Sequence, residues 1–253
     1  MDKLDTASRW SSKAEKYRWD YEPQAIQTIF DMTHISNKSS IADIGSGTGI
    51  LTKHFLDKAK AVFAVEPNLQ MRQLAVRDLY KYQSFYSIDG CSDATTLPDE
   101  SVDLIIVGEA LHWFIAESTK NEFLRILKPC GWLAVLYNRG TDSELNKAIQ
   151  KLYTEKNGWN KVLAATRPPS KPMSFWYDSE DFLKLSFNQS CQETLEEFTG
   201  ALSSNSSAPD EDNYLYTNFE ILAKGIFDKH ETEGLINVSF STELFLGKMR
   251  RQR

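Results

Sequence analysis

Short apolar segments alternate with amphipathic stretches along the first two thirds of the chain. Five segments rich in apolar residues predict β-strands, at residues 41–44, 61–66, 84–88, 102–107 and 132–137. The fourth and fifth are apolar at consecutive positions, so we expect both of their faces to be covered. Helical spacing of apolar residues between the strands completes a strand-helix alternation, which predicts a parallel sheet with helices on both faces.

Several helix starts are marked by capping chemistry. Pro23 and Asn68 are suited to the first positions of two helices, and Thr141 with Glu144 predicts a capping box at a third. A further helix is expected directly after a glycine-rich stretch. The inward-facing positions of these predicted helices are Ile26, Ile29, Phe30, Leu51, Phe55, Leu74, Leu79, Ile149 and Leu152.

The last third of the chain has a different pattern. Residues 167–172 and 203–213 are rich in Pro, Ser, Asp and Asn, and they predict loops. Helices are expected around Phe182 and across residues 219–227. Apolar residues alternate in residues 238–246, which predicts one more strand, antiparallel and added late to the sheet.

The composition is that of an ordinary globular chain, and it excludes several classes. The mean hydropathy is -0.43 and no run approaches the roughly 18 apolar residues of a transmembrane helix. The N-terminus has no apolar signal region, and three cysteines far apart suggest neither a disulfide framework nor a metal site. A cytoplasmic protein without membrane contact is expected. The net charge of -6 argues against nucleic acid as a partner.

Three alternate glycines follow the first predicted strand, in the segment from Asp43 to Gly49. A strand, a glycine-rich turn and a helix together favour an anion or nucleotide site. The Gly-Lys-Ser/Thr ending of a triphosphate loop is missing. A dinucleotide fingerprint would need its third glycine at Ile50.

The string D-x-G-x-G-x-G resembles the first motif of class I S-adenosylmethionine-dependent methyltransferases. Glu66 ends the second predicted strand 17 residues after Gly49, where this family places an acidic residue on the ribose. Residues 97–114 and 125–138 are similar to the segments around the fourth and fifth strands of its small-molecule members, notably the trans-aconitate and ubiquinone-type methyltransferases. The resemblance covers residues 10–138.

The resemblance implies a doubly wound, Rossmann-like α/β fold: a seven-stranded, mostly parallel sheet with an antiparallel late strand and helices on both faces. We expect a single methyltransferase domain over residues 1–253. Its segments would be an N-terminal helical lid (1–35), a cofactor-binding core (36–140), substrate-side helices and loops (141–236) and a final strand (237–249).

The resemblance also implies S-adenosyl-L-methionine as cofactor. Its expected binding residues are Asp43, Gly45, Ser46, Gly47, Gly49, Glu66, Pro67, Ser92, Asp93, Gly108 and Glu109. Asp93 stands where relatives often carry Glu after Ala, and here the preceding residue is Ser92.

On the substrate side we expect Tyr17, His112, Trp113 and Asn138. His112 follows the fourth strand, and a histidine there can act as base or orienter. Structural roles are the alternative for it and for Trp113, and packing is favoured for Trp113. Lys128 to Gly131 form the family's turn with Cys130 in place of a glycine, which predicts a type I turn with negative φ at Cys130.

The predicted function is transfer of a methyl group to an oxygen, carbon or nitrogen of a small molecule, with carboxylates and natural-product intermediates among the candidates. A catalytically silent S-adenosylmethionine-binding or scaffold protein and a dinucleotide-dependent oxidoreductase stay open as alternatives. No metal is expected. The sequence does not distinguish a monomer from a homodimer.

Overall fold

The computed structural model describes residues 16–141, 143–154, 170–177, 181–205, 207–209, 211 and 213–249. The strands are β1 (Ser40–Ile44), β2 (Ala61–Val65), β3 (Phe85–Ile88), β4 (Val102–Gly108), β5 (Leu127–Gly140), β6 (Leu183–Glu193) and β7 (Ile236–Lys248). The helices are α1 (Pro23–Thr33), α2 (Leu69–Leu79), α3 (Ala116–Ile126), α4 (Glu144–Thr154), α5 (Met173–Tyr177), α6 (Leu195–Ser203) and α7 (Tyr216–His230). Short 3-10 turns span Thr52–Phe55 and Leu111–Trp113.

The strands form a seven-stranded sheet in the order β3-β2-β1-β4-β5-β7-β6. The pairs from β3 to β5 are parallel, and the sheet contains one antiparallel late strand. The predicted Rossmann-like class is therefore confirmed. Because parallel strands end at the same edge of a sheet, the residues that follow β1, β2 and β4 are brought to one edge.

Alternating side chains of the central strands enter two apolar clusters. Ile105 and Val107 of β4 belong to one cluster, while Leu104 and Ile106 belong to the other. This alternation is the period of a pleated strand, and both faces of β4 are covered as its continuous apolar sequence predicts. The glycine turn thus follows a central strand layer whose two faces are both covered by apolar side chains.

The chain divides into two compact units. The larger lies within Asp20–Asn138, Pro168–Phe187 and Thr242–Arg253, and it contains both clusters of the sheet. The smaller lies within Met1–Trp19, Arg139–Arg167 and Asn188–Ser241 and has an apolar cluster of its own. The single domain with four segments remains a prediction. No helix among the described residues is long and apolar enough to cross a bilayer.

Several local predictions are wrong. The segment after the glycines forms only the 3-10 turn Thr52–Phe55, although Leu51 and Phe55 are buried as expected. Ser143, whose Oγ accepts from the Asn146 N–H at 3.1 Å, takes the capping position predicted for Thr141. The Thr141 hydroxyl instead donates to the Ser239 carbonyl.

The region after α5 also differs from the sequence prediction. Phe182 lies in a bend directly before β6, which replaces the helix expected around it. The helix α6, with a complete capping box between Thr194 and Glu197, was not predicted. Residues 167–169 of the predicted loop at 167–172, and residues 206, 210 and 212 of the predicted loop at 203–213, lie outside the described residues.

Cys130 has a φ of 65°, so the predicted negative φ is wrong. The chain from Lys128 to Gly131 is a bulge of β5, because Val102 pairs with Leu127 while Leu104 already pairs with Trp132. Pro129 occupies the position before the left-handed residue, as in a type II turn. The cysteine therefore adopts the conformation that the family's glycine would adopt.

Candidate cofactor site

The glycine turn is anchored to the neighbouring strand by its backbone. The N–H groups of Gly45 and Ser46 donate to the Val65 carbonyl at 2.9 and 3.2 Å, and the Gly49 N–H donates to the Ser46 carbonyl at 2.9 Å. Gly45, Gly47 and Gly49 have φ values of 72°, 57° and 88°, which L-residues with a Cβ rarely adopt. The turn is therefore a preformed, tightly curled segment at the carboxyl edge of the sheet.

Two of the three glycines leave no space for a side chain. A Cβ on Gly45 would lie 2.7 Å from the Ala110 Cβ, and one on Gly49 would lie 2.6 Å from Leu79 Cδ1. A Cβ on Gly47 would meet only Met71 Sδ, at 3.9 Å. Gly45 and Gly49 thus serve the packing of the protein itself, while the middle glycine leaves an open surface.

Asp43 lies in β1 directly before the turn and is 1% exposed. Its Oδ2 accepts a hydrogen bond from the Thr52 hydroxyl at 2.6 Å, and its Oδ1 has no hydrogen-bond partner among the described residues. Burial raises the pKa of this carboxyl to about 7, while the Thr52 hydroxyl opposes the rise and the Glu66 charge adds to it. A buried carboxyl with an orphan oxygen is the strongest sign of a ligand in this edge.

Glu66 follows β2 and is 7% exposed. Its Oε2 accepts from the Gly47 N–H at 3.0 Å and its Oε1 accepts from the Asn68 N–H at 2.9 Å. These two bonds tie the carboxylate to the glycine turn and to the residue that precedes α2. Glu66 and the glycine turn therefore form one connected surface, and Pro67 leads from it into α2.

The end of β4 is joined to β5 by Glu109. This residue has a φ of 52°, and its Oε1 accepts from the Asn138 N–H at 2.5 Å. The Asn138 side chain donates to the Asp20 carbonyl and accepts from the Thr242 hydroxyl at 2.7 Å. Asn138 is thus engaged in structural hydrogen bonds, and its predicted substrate role stays a prediction.

Gly108, the last residue of β4, lies against a buried tyrosine. Tyr21 is 6% exposed, and a Cβ on Gly108 would overlap its hydroxyl. The glycine therefore permits Tyr21 to reach this edge. Neither Tyr21 nor Thr52 was predicted as a site residue, because an isolated Tyr or Thr in a sequence carries no signal of such a contact.

The predicted adenine-side residues lie before β4 and contact the start of α3. Ser92 Oγ is 2.9 Å from Thr119 Oγ1, and Asp93 Oδ2 accepts from the Ser118 hydroxyl at 3.1 Å. Asp93 is exposed. Its hydrogen bond to α3 holds the loop against the helix, while its contact with adenine stays a prediction.

His112 and Trp113 lie in the 3-10 turn between β4 and α3. Their ring centroids are 5.3 Å apart, His112 is half-buried, and the Trp113 side chain is 36% exposed. Both follow the carboxyl end of β4, so the topology brings them to the same edge as the glycine turn. The catalytic role of His112 and the substrate contact of Trp113 stay predictions.

Tyr17 belongs to the smaller unit. Its hydroxyl donates to Glu196 Oε1 at 2.8 Å, and its ring lies against Gly200 of α6, where an added Cβ would come within 2.6 Å of it. The lid role of this segment stays a prediction, and residues 1–15 of it lie outside the described residues. Among the described residues, no three His, Cys, Asp or Glu side chains are grouped as metal ligands.

The sheet order, the antiparallel late strand and the acidic residues at the carboxyl ends of β1 and β2 together define a class I methyltransferase fold. Residues 42–135 match the model of a family described as methyltransferase domain. An uncharacterised methyltransferase of Schizosaccharomyces pombe is 35% identical over 128 residues, which are 49% of this chain and 49% of that protein. An uncharacterised methyltransferase of Mycobacterium tuberculosis is 29% identical over 124 residues, which are 49% and 48% of the two chains.

The chain spans about half the length of the curated relatives it matches. A solved candidate type II methyltransferase from Anaeromyxobacter dehalogenans has the same fold, with a TM-score of 0.62 and 18% identity, over 93% of this chain and 100% of that one. Residues 42–135 are thus similar to methyltransferase domains, and the chain has the fold of class I S-adenosylmethionine-dependent methyltransferases.

Proposed function

We propose that this chain binds S-adenosyl-L-methionine and transfers its methyl group to a small molecule. The proposal is carried by two acidic side chains beside the glycine turn. Asp43 is buried with one carboxyl oxygen that has no hydrogen-bond partner among the described residues, and Glu66 accepts a hydrogen bond from the turn. An empty structural turn would need neither acid. Burying two acidic side chains close together costs free energy that a cationic or hydroxyl-rich ligand offsets.

The residues at this edge fit the cofactor in chemical type. Glu66 presents two carboxylate oxygens, which are acceptors of the kind that the two hydroxyls of a ribose require, and the open side of Gly47 allows close approach of a ligand to the backbone. Asp43 offers a carboxyl oxygen without a partner to the cationic methionine end. We assign supporting positions to Ser46, Gly108 and Glu109, and the adenine side to Ser92 and Asp93.

When bound, S-adenosylmethionine supplies a methyl carbon on a sulfonium, which is already electrophilic. The protein then has to orient the acceptor and exclude water, and alignment of two reactants can lower a barrier by about 7–11 kcal/mol. A base is needed only where the acceptor must lose a proton. In the proposal His112 accepts that proton or orients the acceptor, and Trp113 and Asn138 contact the acceptor; the substrate-side role of Tyr17 stays a prediction.

A small-molecule acceptor is supported by two features of the chain. The net charge of -6 gives no attraction to polyanions. Residues 108–114, at the end of β4, read GEALHWF. Methyltransferases that act on the exocyclic amines of bases typically carry an Asn/Asp-Pro-Pro-aromatic string at this position. Carboxylates and natural-product intermediates are therefore the acceptors to screen first.

Titration calorimetry with S-adenosylmethionine, S-adenosylhomocysteine and NAD tests the cofactor. Micromolar binding of the two S-adenosyl compounds without binding of NAD is expected. Glu66→Ala should weaken binding at least tenfold, because both its contact with the turn and its acceptor oxygens are lost. Glu220→Ala, on the exposed side of α7, is the matched control and should bind as wild type.

Turnover is tested separately, with labelled cofactor and a panel of small acceptors. His112→Ala should lower kcat far more than cofactor affinity on an acceptor that needs deprotonation. If cofactor binds while no acceptor is methylated, the silent cofactor-binding protein becomes the better description. Binding of NAD instead of the S-adenosyl compounds would support an oxidoreductase and contradict the proposal.

A further inference from the structure

Asp43 has a hydroxyl partner but no cationic partner among the described residues. One carboxyl oxygen accepts from Thr52 at 2.6 Å, the other has none, and both residues are buried, with Thr52 at 0% exposure. A carboxylate in such a place would keep its charge only at a large desolvation cost. The empty site therefore favours the neutral carboxyl.

The charged groups on the surrounding elements strengthen this preference. Glu66, after β2, adds negative charge near Asp43. In the turn that carries Thr52, Lys53 and His54 both contact Asp20 instead, at 2.8 and 2.7 Å.

The other charged groups at this edge have partners of their own as well. The Arg72 guanidinium binds the Glu66 carbonyl and the Asp89 carboxylate. Glu109, after β4, accepts from the Asn138 N–H. The basic groups near this edge thus contact acceptors other than the Asp43 carboxyl.

We infer that Asp43, positioned by Thr52, is a proton-linked counter-ion: in the ligand-free protein its carboxyl is protonated in mildly acidic solution, and binding of a cationic ligand releases that proton to solvent. The inference rests on the proposed function, since the cofactor is the cation concerned. Proton release changes no covalent bond other than the carboxyl O–H. Thr52 acts through Asp43 and is a positioning residue.

The pKa of about 7 gives this linkage a measurable range. Because the acid is protonated below its pKa, a cation must displace a proton at low pH and none at high pH. For a complex in which Asp43 is fully ionised, release should be about 0.9 protons at pH 6, about 0.5 at pH 7 and about 0.1 at pH 8. The same linkage predicts binding about tenfold weaker at pH 6 than at pH 8.

The experiment is titration calorimetry with S-adenosylhomocysteine in buffers of different ionisation enthalpy at each pH. This ligand has an ammonium group and no sulfonium, so a single cation is tested. The slope of observed enthalpy against buffer ionisation enthalpy gives the protons released. 5′-Methylthioadenosine, which lacks the amino acid, is the neutral control and should release none.

Two sets of variants test whether the released proton comes from the Asp43 carboxyl. Asp43→Asn should bind more weakly and release no proton at any pH. Thr52→Val should shift the release midpoint above that of wild type, because the hydroxyl that stabilises the carboxylate is lost, while Thr52→Ser should restore it. A purely structural role of Thr52 would change the unfolding midpoint without moving this titration.

The outcomes separate the two proposals. If S-adenosylhomocysteine does not bind wild type at pH 8, the proposed function fails and the counter-ion has no ligand. If it binds but releases fewer than about 0.1 protons at pH 7, the function stands and the proton linkage is refuted. Equal release from wild type and Asp43→Asn would also refute it, because the proton would come from another group.

Discussion

Gly45→Ala provides the sharpest test of what the glycine turn does. The alanine would have to keep the φ of 72° of this position. Its Cβ would lie 2.7 Å from the Ala110 Cβ and 3.1 Å from Phe114 Cζ. Left-handed backbone costs about 1–2 kcal/mol, and overpacking against side chains that have little room to move costs about 1–3 kcal/mol. The alanine also restricts the unfolded chain, which returns about 0.4–1 kcal/mol. We expect a net loss of about 2–4 kcal/mol.

Gly47→Ala differs only in its surroundings. Its φ of 57° imposes the same kind of backbone strain, but the nearest atom to the added Cβ is 3.9 Å away. Its net loss of stability should be about 0.5–1 kcal/mol. The added methyl group would project from the open side of the turn, so this mild variant should lose most of its affinity for S-adenosylhomocysteine.

Gly225→Ala is the matched control. Gly225 lies in α7, an added Cβ would meet nothing within 4 Å, and helical alanine is more stable than glycine by about 0.5–1 kcal/mol. Urea unfolding gives the three free energies, and calorimetry gives the affinities. Equal destabilisation by Gly45→Ala and Gly47→Ala would refute the packing argument, and unchanged affinity in Gly47→Ala would refute the open-surface argument.

Three further predictions concern other parts of the chain. Cys130→Gly should raise the free energy of unfolding, measured with urea, by about 1 kcal/mol, because glycine adopts a φ of 65° without steric strain. The control Cys91→Gly should not raise it. Burial raises the pKa of Glu193 in the folded protein. Ionised Glu193 therefore destabilises the fold at any pH above the pKa that this acid has in the unfolded chain. Glu193→Gln should raise the unfolding temperature more at pH 8 than at pH 4. Burial alone would raise the pKa of Asp20, but hydrogen bonds from His54 and Lys53 lower it to about 2. The ionised Asp20 therefore stabilises the folded state, and this contribution is lost as the pH falls from about 4 to 2. Acid unfolding of Asp20→Asn should therefore be less steep over that range.

The central sheet could be predicted because each strand carries its own signal. β1, β2, β4 and β5 are buried apolar runs between turn residues, and the family motifs lie at their carboxyl ends. β6 was missed although Leu183, Leu185 and Phe187 alternate. The exposed, polar residues between them resemble a loop, and Phe182 suggested a helix. The start of α6 does carry a sequence signal, because Thr194 and Glu197 have the residue types and spacing of a capping box.

Other misses arise from contacts between residues distant in sequence. Thr141 has the residue type and spacing of a cap, yet its hydroxyl donates to Ser239, 98 residues away. Thr52 is an unremarkable position in sequence, and only folding places its hydroxyl on Asp43. Such roles depend on which strands become neighbours, which local patterns do not encode.

The glycine string is therefore weaker evidence of a cofactor than its regularity suggests. Gly45 and Gly49 are required by Ala110 and Leu79, so a turn of this shape would need them even without a ligand. The features that packing does not explain are the open side of Gly47, the orphan oxygen of Asp43 and the hydrogen bond of the buried Glu66 carboxylate to the turn. A relative that kept all three glycines but had apolar residues in place of both acids should fold with the same turn and bind no S-adenosyl compound. The acids, and not the glycines, thus distinguish a cofactor site from a packed turn.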